Sequence, residues 1–160
     1  RLATFPFSDG GDYSQHPGQS YGKLQAVRPP TIGKELVVRT ENRVGLLADI
    51  AKLLSTQGIN ILATAVFVVG EEAELHLVVD AHHYALESLR GAEFPAEERE
   101  VVFVTLPNRP GFLRRITEAL ARQGLDIRYL YASAAEDSSH TLVVFSCTHN
   151  GKAVLLLRER

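Results

Sequence analysis

Two stretches of sequence decide the fold: ELVVRTENRVGLLADIAKLLSTQGINI at residues 35–61 and VVFVTLPNRPGFLRRITEALARQGLDI at residues 101–127. The motif Asn-Arg-x-Gly begins at Asn42 in the first stretch and, 66 residues later, at Asn108 in the second. The same offset aligns residues 35–80 with residues 101–146 without a gap. Repetition at a fixed offset indicates that one structural unit occurs twice. A hypothesis about function must therefore explain two similar sites, or one site between them.

Each repeat has the pattern of a unit that alternates strands and helices. The elements predicted for the first repeat are strand 35–40, helix 46–57, strands 59–69 and 75–79, helix 82–90 and a weak strand 93–98. The helix is predicted from apolar residues at helical spacing, and the strands are predicted from alternating runs rich in β-branched residues. Gly58 ends the helix, because glycine enters the left-handed cap conformation at little cost. The order βαββαβ predicts an α+β fold of two ferredoxin-like units, with antiparallel sheets that carry helices on one face.

The second repeat predicts the same elements as far as Cys147. They are strand 101–106, helix 111–123, and hairpin strands 126–134 and 141–146 around the polar turn Glu136–Ser139. Residues 151–160 fit either a helix or a strand, since the apolar run Ala153–Leu157 is too short for periodicity to decide. If they form a helix, the unit lacks its last strand, and another segment must cover the sheet edge.

Residues 1–34 differ in kind from the repeats. Glycine, proline, serine and tyrosine dominate residues 9–21, and Arg28-Pro-Pro is expected to break any regular element. An extended arm is the first interpretation. The alternative is that Lys23–Arg28 forms a strand that completes the second sheet. The predicted division is an arm at 1–34, a first unit at 35–99 and a second unit at 100–160, which lacks its last strand if residues 151–160 form a helix.

Composition narrows the class of protein. A formal net charge of -2 and a pI near 6.3 argue against a nucleic-acid partner, because such surfaces must neutralise phosphates. The single Cys147 excludes an internal disulfide and fits a reducing compartment. No apolar run approaches the roughly 18 residues that span a bilayer, so no membrane partner is expected. The start of the chain shows no charged-then-apolar leader, and we expect a cytoplasmic protein.

The repeated frame resembles the ACT domain. The residues that carry the resemblance are Asn108-Arg-Pro-Gly111-Phe-Leu113 with Gln123-Gly124-Leu-Asp-Ile127, and Asn42-Arg-Val-Gly45-Leu-Leu47 with Gln57-Gly58-Ile-Asn-Ile61. The segment Asp126-Ile-Arg-Tyr-Leu-Tyr131 is also similar to the second strand of small stand-alone proteins made of two ACT domains. The resemblance covers residues 35–160. It implies a regulatory domain that binds amino acids or related metabolites and reports the binding to a partner.

The resemblance places the ligand at the loop between the first strand and the helix. Gly45 and Gly111 lack a Cβ, so a ligand can approach the backbone. The unpaired amides at the helix start suit a carboxylate, and the amide oxygen of Asn42 or Asn108 can accept from an ammonium group. The second strand or a partner domain would close the pocket. The expected ligand-binding residues are Asn42, Arg43, Val44, Gly45, Leu46, Asn60 and Ile61 in the first repeat, and Asn108, Arg109, Pro110, Gly111, Phe112, Asp126 and Ile127 in the second.

Each of these residues has a structural alternative. The glycines can serve only a tight turn, the asparagines can cap the helix, and Arg43 and Arg109 can be solvated surface charge. The two repeats also differ: Val44 stands where the family usually has proline. The bulky Phe112, Tyr129 and Tyr131 of the second repeat can fill its own pocket. Tyr129 and Tyr131 are two apart on a strand and share a face, which favours packing against a neighbouring sheet. The sequence does not rank the two sites.

Rival functions lack their signatures. RNA-recognition modules share the βαββαβ order, but neither 75–79 nor 141–145 supplies their run of stacking aromatics. Three or four convergent metal ligands are not evident, since the histidines are scattered over strand, helix start and turn (His76, His82, His83, His140 and His149). No nucleophile elbow or phosphate-cradling glycine loop marks an enzyme. We therefore expect no catalytic residues, no metal and no cofactor.

The sequence predicts a non-catalytic regulatory protein that binds an amino acid or related carboxylate and acts through domain or subunit interfaces. We expect a homodimer, because small exposed sheets need partners and two-fold dimers are the commonest closed assembly. A partner enzyme or regulator is possible. The alternative is a ligand-free structural or oligomerisation module that docks on such a partner.

Overall fold

The computed structural model describes residues 28–133 and 138–158, which form six strands and four helices. In chain order they are β1 (Arg28–Glu41), α1 (Leu46–Thr56), β2 (Ile61–Val69), β3 (Glu72–Val79), α2 (His82–Gly91), β4 (Ala96–Pro107), α3 (Phe112–Arg122), β5 (Ile127–Ser133), β6 (His140–Cys147) and α4 (Asn150–Arg158). The order strand, helix, strand, strand, helix occurs twice, which confirms the α+β class. Half of the turn expected at Glu136–Ser139, and nearly all of the strand expected at Lys23–Arg28, lie outside the described residues.

All six strands belong to one antiparallel sheet, in the order β2-β3-β1-β4-β6-β5. The long strands β1 and β4 lie at its centre, and each serves both units. The C-terminal half of β1 opens the first unit, whereas its N-terminal half pairs with the second unit, as in Gly33 with Val101. The N-terminal half of β4 closes the first unit in the same way, as in Ala96 with Val38. The two ferredoxin-like units are therefore joined edge to edge through β1 and β4.

This arrangement supplies the last strand of the second unit. Residues 150–158 form helix α4, and the sheet edge that this leaves is covered by residues 28–33 of β1. The expectation that Arg28-Pro-Pro breaks regular structure is wrong, because β1 begins at Arg28, within the stretch expected to be an arm. The register shifts between Arg28 and Thr31, so the two prolines fall at an irregularity where ladder bonds are not required.

All four helices pack on one face of the sheet. In the first unit, α1 and α2 bury Ile50, Leu54 and Leu89 against Leu36 and Leu75 of the strands. In the second unit, α3 and α4 cover the corresponding core, whose members are Val102, Val104, Leu106, Ile116, Leu120, Val143, Phe145, Ala153 and Leu157. Alternate residues of each strand point toward the helices, as period-two geometry requires. The predicted single helical face is confirmed.

The other face of the sheet is curled and closes partly on itself. Strands β2 and β5 are the two outer strands, five strand spacings apart, or about 24 Å in a flat sheet. They nevertheless contact each other, so the sheet must be strongly concave on this side. Val37, Val101 and Val144 are buried there without any helix above them. The two halves of the sheet thus cover each other's open face.

Candidate functional site

The strand-to-helix loops of the two units have the same backbone. Gly45 precedes α1 with φ of 86°, and Gly111 precedes α3 with φ of 90°. Both values lie in the left-handed region that disfavours residues with a Cβ. A Cβ built at either position would have no neighbour within 4 Å. The glycines are therefore required by the turn itself, and the space beside each loop is open.

The asparagines do not cap the helices. The N-cap positions are Gly45 and Gly111, and neither helix start has a side-chain cap hydrogen bond. Asn108 instead donates from Nδ2 to the carbonyl of Ser138 at 3.0 Å. The backbone amide of Asn42 donates to the carbonyl of Glu71 at 2.7 Å. Each loop is thus tied to the hairpin turn of its own unit, and the capping interpretation is wrong.

The start of the second strand lies at the opposite end of each unit. The amide of Asn60 donates to the carboxylate of Asp80 at 2.9 Å, just past the end of β3, whereas Asn42 contacts Glu71 just before its start. The eight residues of β3 separate Glu71 from Asp80, or roughly 30 Å of extended strand. In the second unit, Asp126 pairs with Thr148 in the same way. One unit therefore does not bring its loop and its second-strand start together.

The fourteen expected ligand-binding residues divide by burial. Those at the surface are Asn42, Arg43, Val44, Gly45, Asn60, Asn108, Arg109, Pro110, Gly111 and Asp126. Leu46 belongs to the first core, and Ile61, Phe112 and Ile127 pack against the two cores. Arg43 pairs with Asp49 in the first turn of α1, with both side chains about half exposed. Arg43 is thus a surface ion pair within its own loop and helix.

A polar cluster around the buried Glu35 and His76 lies on the concave face, and no pattern in the sequence marks it as a unit. We call it the Glu35 cluster; its members are Glu35, Glu74, His76, Tyr129 and Tyr131. Nδ1 of His76 lies 2.9 Å from Glu35 Oε1, and Nε2 lies 2.8 Å from Glu74 Oε1. The hydroxyls of Tyr129 and Tyr131 donate to the two oxygens of Glu35, the second at 2.7 Å. The cluster joins β1 and β3 of the first unit to β5 of the second.

The electrostatics of the cluster follow from its burial and its donors. Burial raises the pKa of Glu35, but hydrogen bonds from His76, Tyr129 and Tyr131 outweigh it and hold that pKa below its ordinary value. Burial and the neighbouring Glu35 raise the pKa of Tyr129 to about 12, and they raise the pKa of Tyr131 as well. Each ring nitrogen of His76 faces a carboxylate oxygen, so the imidazole bridges Glu35 and Glu74. No buried side-chain nitrogen or oxygen among the described residues lacks a partner.

Three cavities open on or beside the concave face, of about 760, 440 and 790 Å³. The first is lined by Arg39, Arg99 and Arg128, and the second adjoins it through Arg39, Arg128 and Tyr129. The third is lined by residues of both units, among them the apolar side chains of Leu62 and Phe103. None of the expected ligand-binding residues lines any of these three cavities.

Two features are absent from the described residues, a metal-binding group and a membrane-spanning helix. No group of three or more His, Cys, Asp or Glu side chains within 28–133 and 138–158 is arranged to hold a metal ion. In the same part of the chain, no helix is long and apolar enough to span a membrane.

The duplicated order of elements and the glycine before each first helix match the family model for the ACT domain twice, at residues 34–86 and 101–158. The chain therefore belongs to the ACT-domain family, and the resemblance seen in its sequence is confirmed.

Solved structures have the same fold. A crystal structure of a protein from Bacteroides thetaiotaomicron is 25% identical with a TM-score of 0.75, and the match covers 82% of this chain and 90% of that one. The regulatory subunit of aspartate kinase from Thermus thermophilus, in its ligand-free form, is 18% identical with a TM-score of 0.59, over 84% of this chain and 98% of that one. The corresponding subunit from Thermus flavus is 17% identical with a TM-score of 0.52, over the same shares. A search of curated proteins by sequence found no match.

Proposed function

We propose that this chain is a non-catalytic regulatory protein whose two ACT units bind an amino acid or a related carboxylate at the strand-to-helix loops. The observation that carries the proposal is the duplicated helix start, with Gly45 and Gly111 in the same left-handed conformation and no side-chain cap. Amides of the first helical turn that lack a side-chain acceptor suit a carboxylate. Proteins of the same fold that are named as regulatory subunits of aspartate kinase support the regulatory role.

A second copy of the chain would complete these sites. The loop at Gly45 and the strand start at Asn60 lie at opposite ends of β3, so a ligand cannot contact both within one unit. A homodimer that sets the loop of one protomer beside the Asn60 or Asp126 segment of the other would enclose the ligand. The ligand would then favour one arrangement of protomers through its differential affinity for the two arrangements.

The alternative proposal, a ligand-free module that docks on a partner enzyme or regulator, is favoured by one observation. Strand β2 lies at the edge of the sheet and exposes a row of large apolar side chains: Leu62, Val66, Phe67, Val68 and Val69. An exposed edge strand offers unpaired backbone groups to another chain. Such a strand would serve a partner protein or a second copy equally well.

Thermal unfolding in the presence of each of the twenty amino acids, with calorimetry on any hit, tests the proposal. A ligand that binds only the folded state stabilises it by about 2.7 kcal/mol at a hundredfold excess over Kd. A selective shift for one or two amino acids supports a metabolite sensor. No shift with any amino acid would favour the docking module.

A matched pair of glycine variants locates the site. Gly111 and Gly124 both have positive φ, 90° and 66°, and a Cβ at either would meet nothing within 4 Å. Gly111→Ala and Gly124→Ala should therefore lose similar stability, about 1–2 kcal/mol from the left-handed backbone. Only Gly111→Ala should weaken ligand binding, because only Gly111 lies in the strand-to-helix loop. Unchanged affinity in Gly111→Ala would exclude the second-unit site, and Gly45→Ala tests the first in the same way.

A further inference from the structure

Two of the cavities are partly lined by residues at corresponding positions of the two repeats. The cavity of about 760 Å³, lined mostly by the second unit, and the cavity of about 790 Å³, lined by both units, share five lining positions when the 66-residue offset is applied. The corresponding pairs are Arg39 and Thr105, Glu100 and Lys34, Arg128 and Leu62, Thr148 and His82, and His149 and His83. The two linings can therefore be compared position by position, with the backbone held nearly constant.

The two linings differ sharply in chemistry. The second-unit cavity, which we call the arginine cavity, is lined by Arg39, Arg99 and Arg128. At the positions related by the 66-residue offset the chain has Thr105, Gly33 and Leu62. The other cavity is lined by apolar side chains such as Val78 and Leu142 and by polar ones that include Arg28 and Lys34, and Lys34 is paired with Glu98 at 3.2 Å. Three guanidinium groups thus occur together in one copy only, so the shared fold does not require them.

Two of the arginines are held in place by the Glu35 cluster. Glu74 accepts from Nε of Arg39 at 2.5 Å, and its other oxygen lies 3.5 Å from Nη1 of Arg99. The same carboxylate is fixed by His76 at 2.8 Å, which in turn contacts the buried Glu35. The guanidinium of Arg99 also lies over the ring of Tyr129, 5.7 Å from its centroid. These contacts fix the positions of Arg39 and Arg99 before any ligand arrives.

The lining of the arginine cavity is itself positively charged. It contains three arginines against one carboxylate, Glu100, while Glu74, Glu97 and Glu72 act on Arg39 from beside the cavity. Glu100 is itself held by Nδ2 of Asn150 at 3.2 Å. Arg128, on the edge strand β5, is exposed and makes no ion pair with any described residue. An anion that enters this cavity would meet the guanidinium of Arg128 and the two guanidiniums that Glu74 holds.

We propose that the arginine cavity binds a phosphate-bearing small molecule, at a site separate from the strand-to-helix loops. A guanidinium fork matches phosphate and carboxylate oxygens bidentately. One guanidinium is enough for the two coplanar oxygens of a carboxylate, whereas three guanidiniums from three strands suit a tetrahedral group with three oxygens. The volume of about 760 Å³ is also typical of small-molecule sites and leaves room for an organic group beside Tyr129.

Calorimetric titration of the full chain with inorganic phosphate and with glycerol 3-phosphate tests the proposal, with succinate at equal ionic strength as the carboxylate control. We expect both phosphate probes to bind with Kd of about 1 mM or tighter, and succinate to bind more weakly. Arg128→Leu, which transfers the first unit's residue to the second, should weaken phosphate binding at least about tenfold. Arg122→Leu makes the same change on the exposed face of α3 and should leave the affinity unchanged.

Three results would overturn the proposal: no heat of binding with either phosphate probe, an equal affinity for succinate, or an unchanged affinity in Arg128→Leu. Arg128 is exposed, so this variant should keep the melting temperature of the wild type. Arg39→Thr provides a second variant if it does not. The amino-acid response of the loops should persist in Arg128→Leu, so failure of this site and failure of the proposed regulatory function are distinguishable.

Discussion

Removal of the Tyr131 hydroxyl tests whether the Glu35 cluster holds the two units together. This hydroxyl donates to Glu35 Oε2 at 2.7 Å, and Glu35 is 0% exposed, so water cannot replace the lost donor. Phenylalanine keeps the ring and nearly all of the volume. A hydrogen bond to a charged group contributes about 1.5–3 kcal/mol, and we expect Tyr131→Phe to lower the free energy of unfolding by that amount.

The same variant should change the response to acid. A carboxyl group whose folded pKa is depressed stabilises the fold above its unfolded pKa, here 4.5, and this stabilisation is lost as the pH falls through the folded value. The Tyr131 hydroxyl is one of the groups that depress the pKa of Glu35. Without it, the folded pKa of Glu35 should rise, and acid unfolding of Tyr131→Phe should begin at a higher pH than in the wild type.

Urea unfolding followed by far-ultraviolet circular dichroism, near neutral pH and again in mild acid, measures both effects. Tyr84→Phe is the matched control, since Tyr84 lies on α2 with 68% of its surface exposed. That control should change stability by less than about 0.5 kcal/mol. If Tyr131→Phe lost no more stability than Tyr84→Phe, the reasoning that this hydrogen bond joins the units would be refuted.

Three other predictions use different parts of the fold. An absorbance titration should show Tyr129 ionising near pH 12, because burial and Glu35 raise its pKa. The stabilisation that this raised pKa represents is present below the ordinary value of 10 and is lost as the pH rises through about 12. Deletion of residues 1–22 should leave the melting temperature almost unchanged, whereas deletion of residues 1–33 removes the last strand of the second unit and should lower it strongly; equal melts would contradict the strand sharing. Gly33→Ala would place a methyl group against the ring of Phe103 and should cost about 1–3 kcal/mol. That cost should shrink in a Phe103→Ala background, and an undiminished cost would rule out the clash.

The elements that sequence predicted well are those whose signal is local. Leucine and isoleucine at helical spacing located α1 and α3, because one face of each helix must be buried. Gly58 was predicted to end α1, and Gly124 stands at the corresponding position after α3; their φ values are positive, 71° and 66°. Tyr129 and Tyr131 share a face, as period two requires, and both hydroxyls point to the same carboxylate.

The features that sequence could not predict depend on distant parts of the chain. The pairing of Gly33 with Val101 joins the stretch before the first repeat to the second, and no local pattern marks it. Pro29 and Pro30 suggested a break, because the irregularity that accommodates them forms only when β1 meets β4. The sequence pattern marks Glu35 only as the first residue of a predicted strand. Its partners Tyr129 and Tyr131 lie 94 and 96 positions away along the chain. The division into units at 34/35 and 99/100, and the roles of the loop residues, remain predictions.

The sharing of β1 and β4 has a consequence for how the protein is made and divided. On the ribosome, residues 28–33 emerge before the first repeat, and they complete a unit whose other strands, β4, β5 and β6, emerge after that repeat. A cut between the repeats, inside β4, would leave two unfinished halves, each short of an edge that the other carries. If a single repeat were moved into another gene, its sheet would lack the strand segment that the rest of this chain supplies. The portable module of this sequence is the pair.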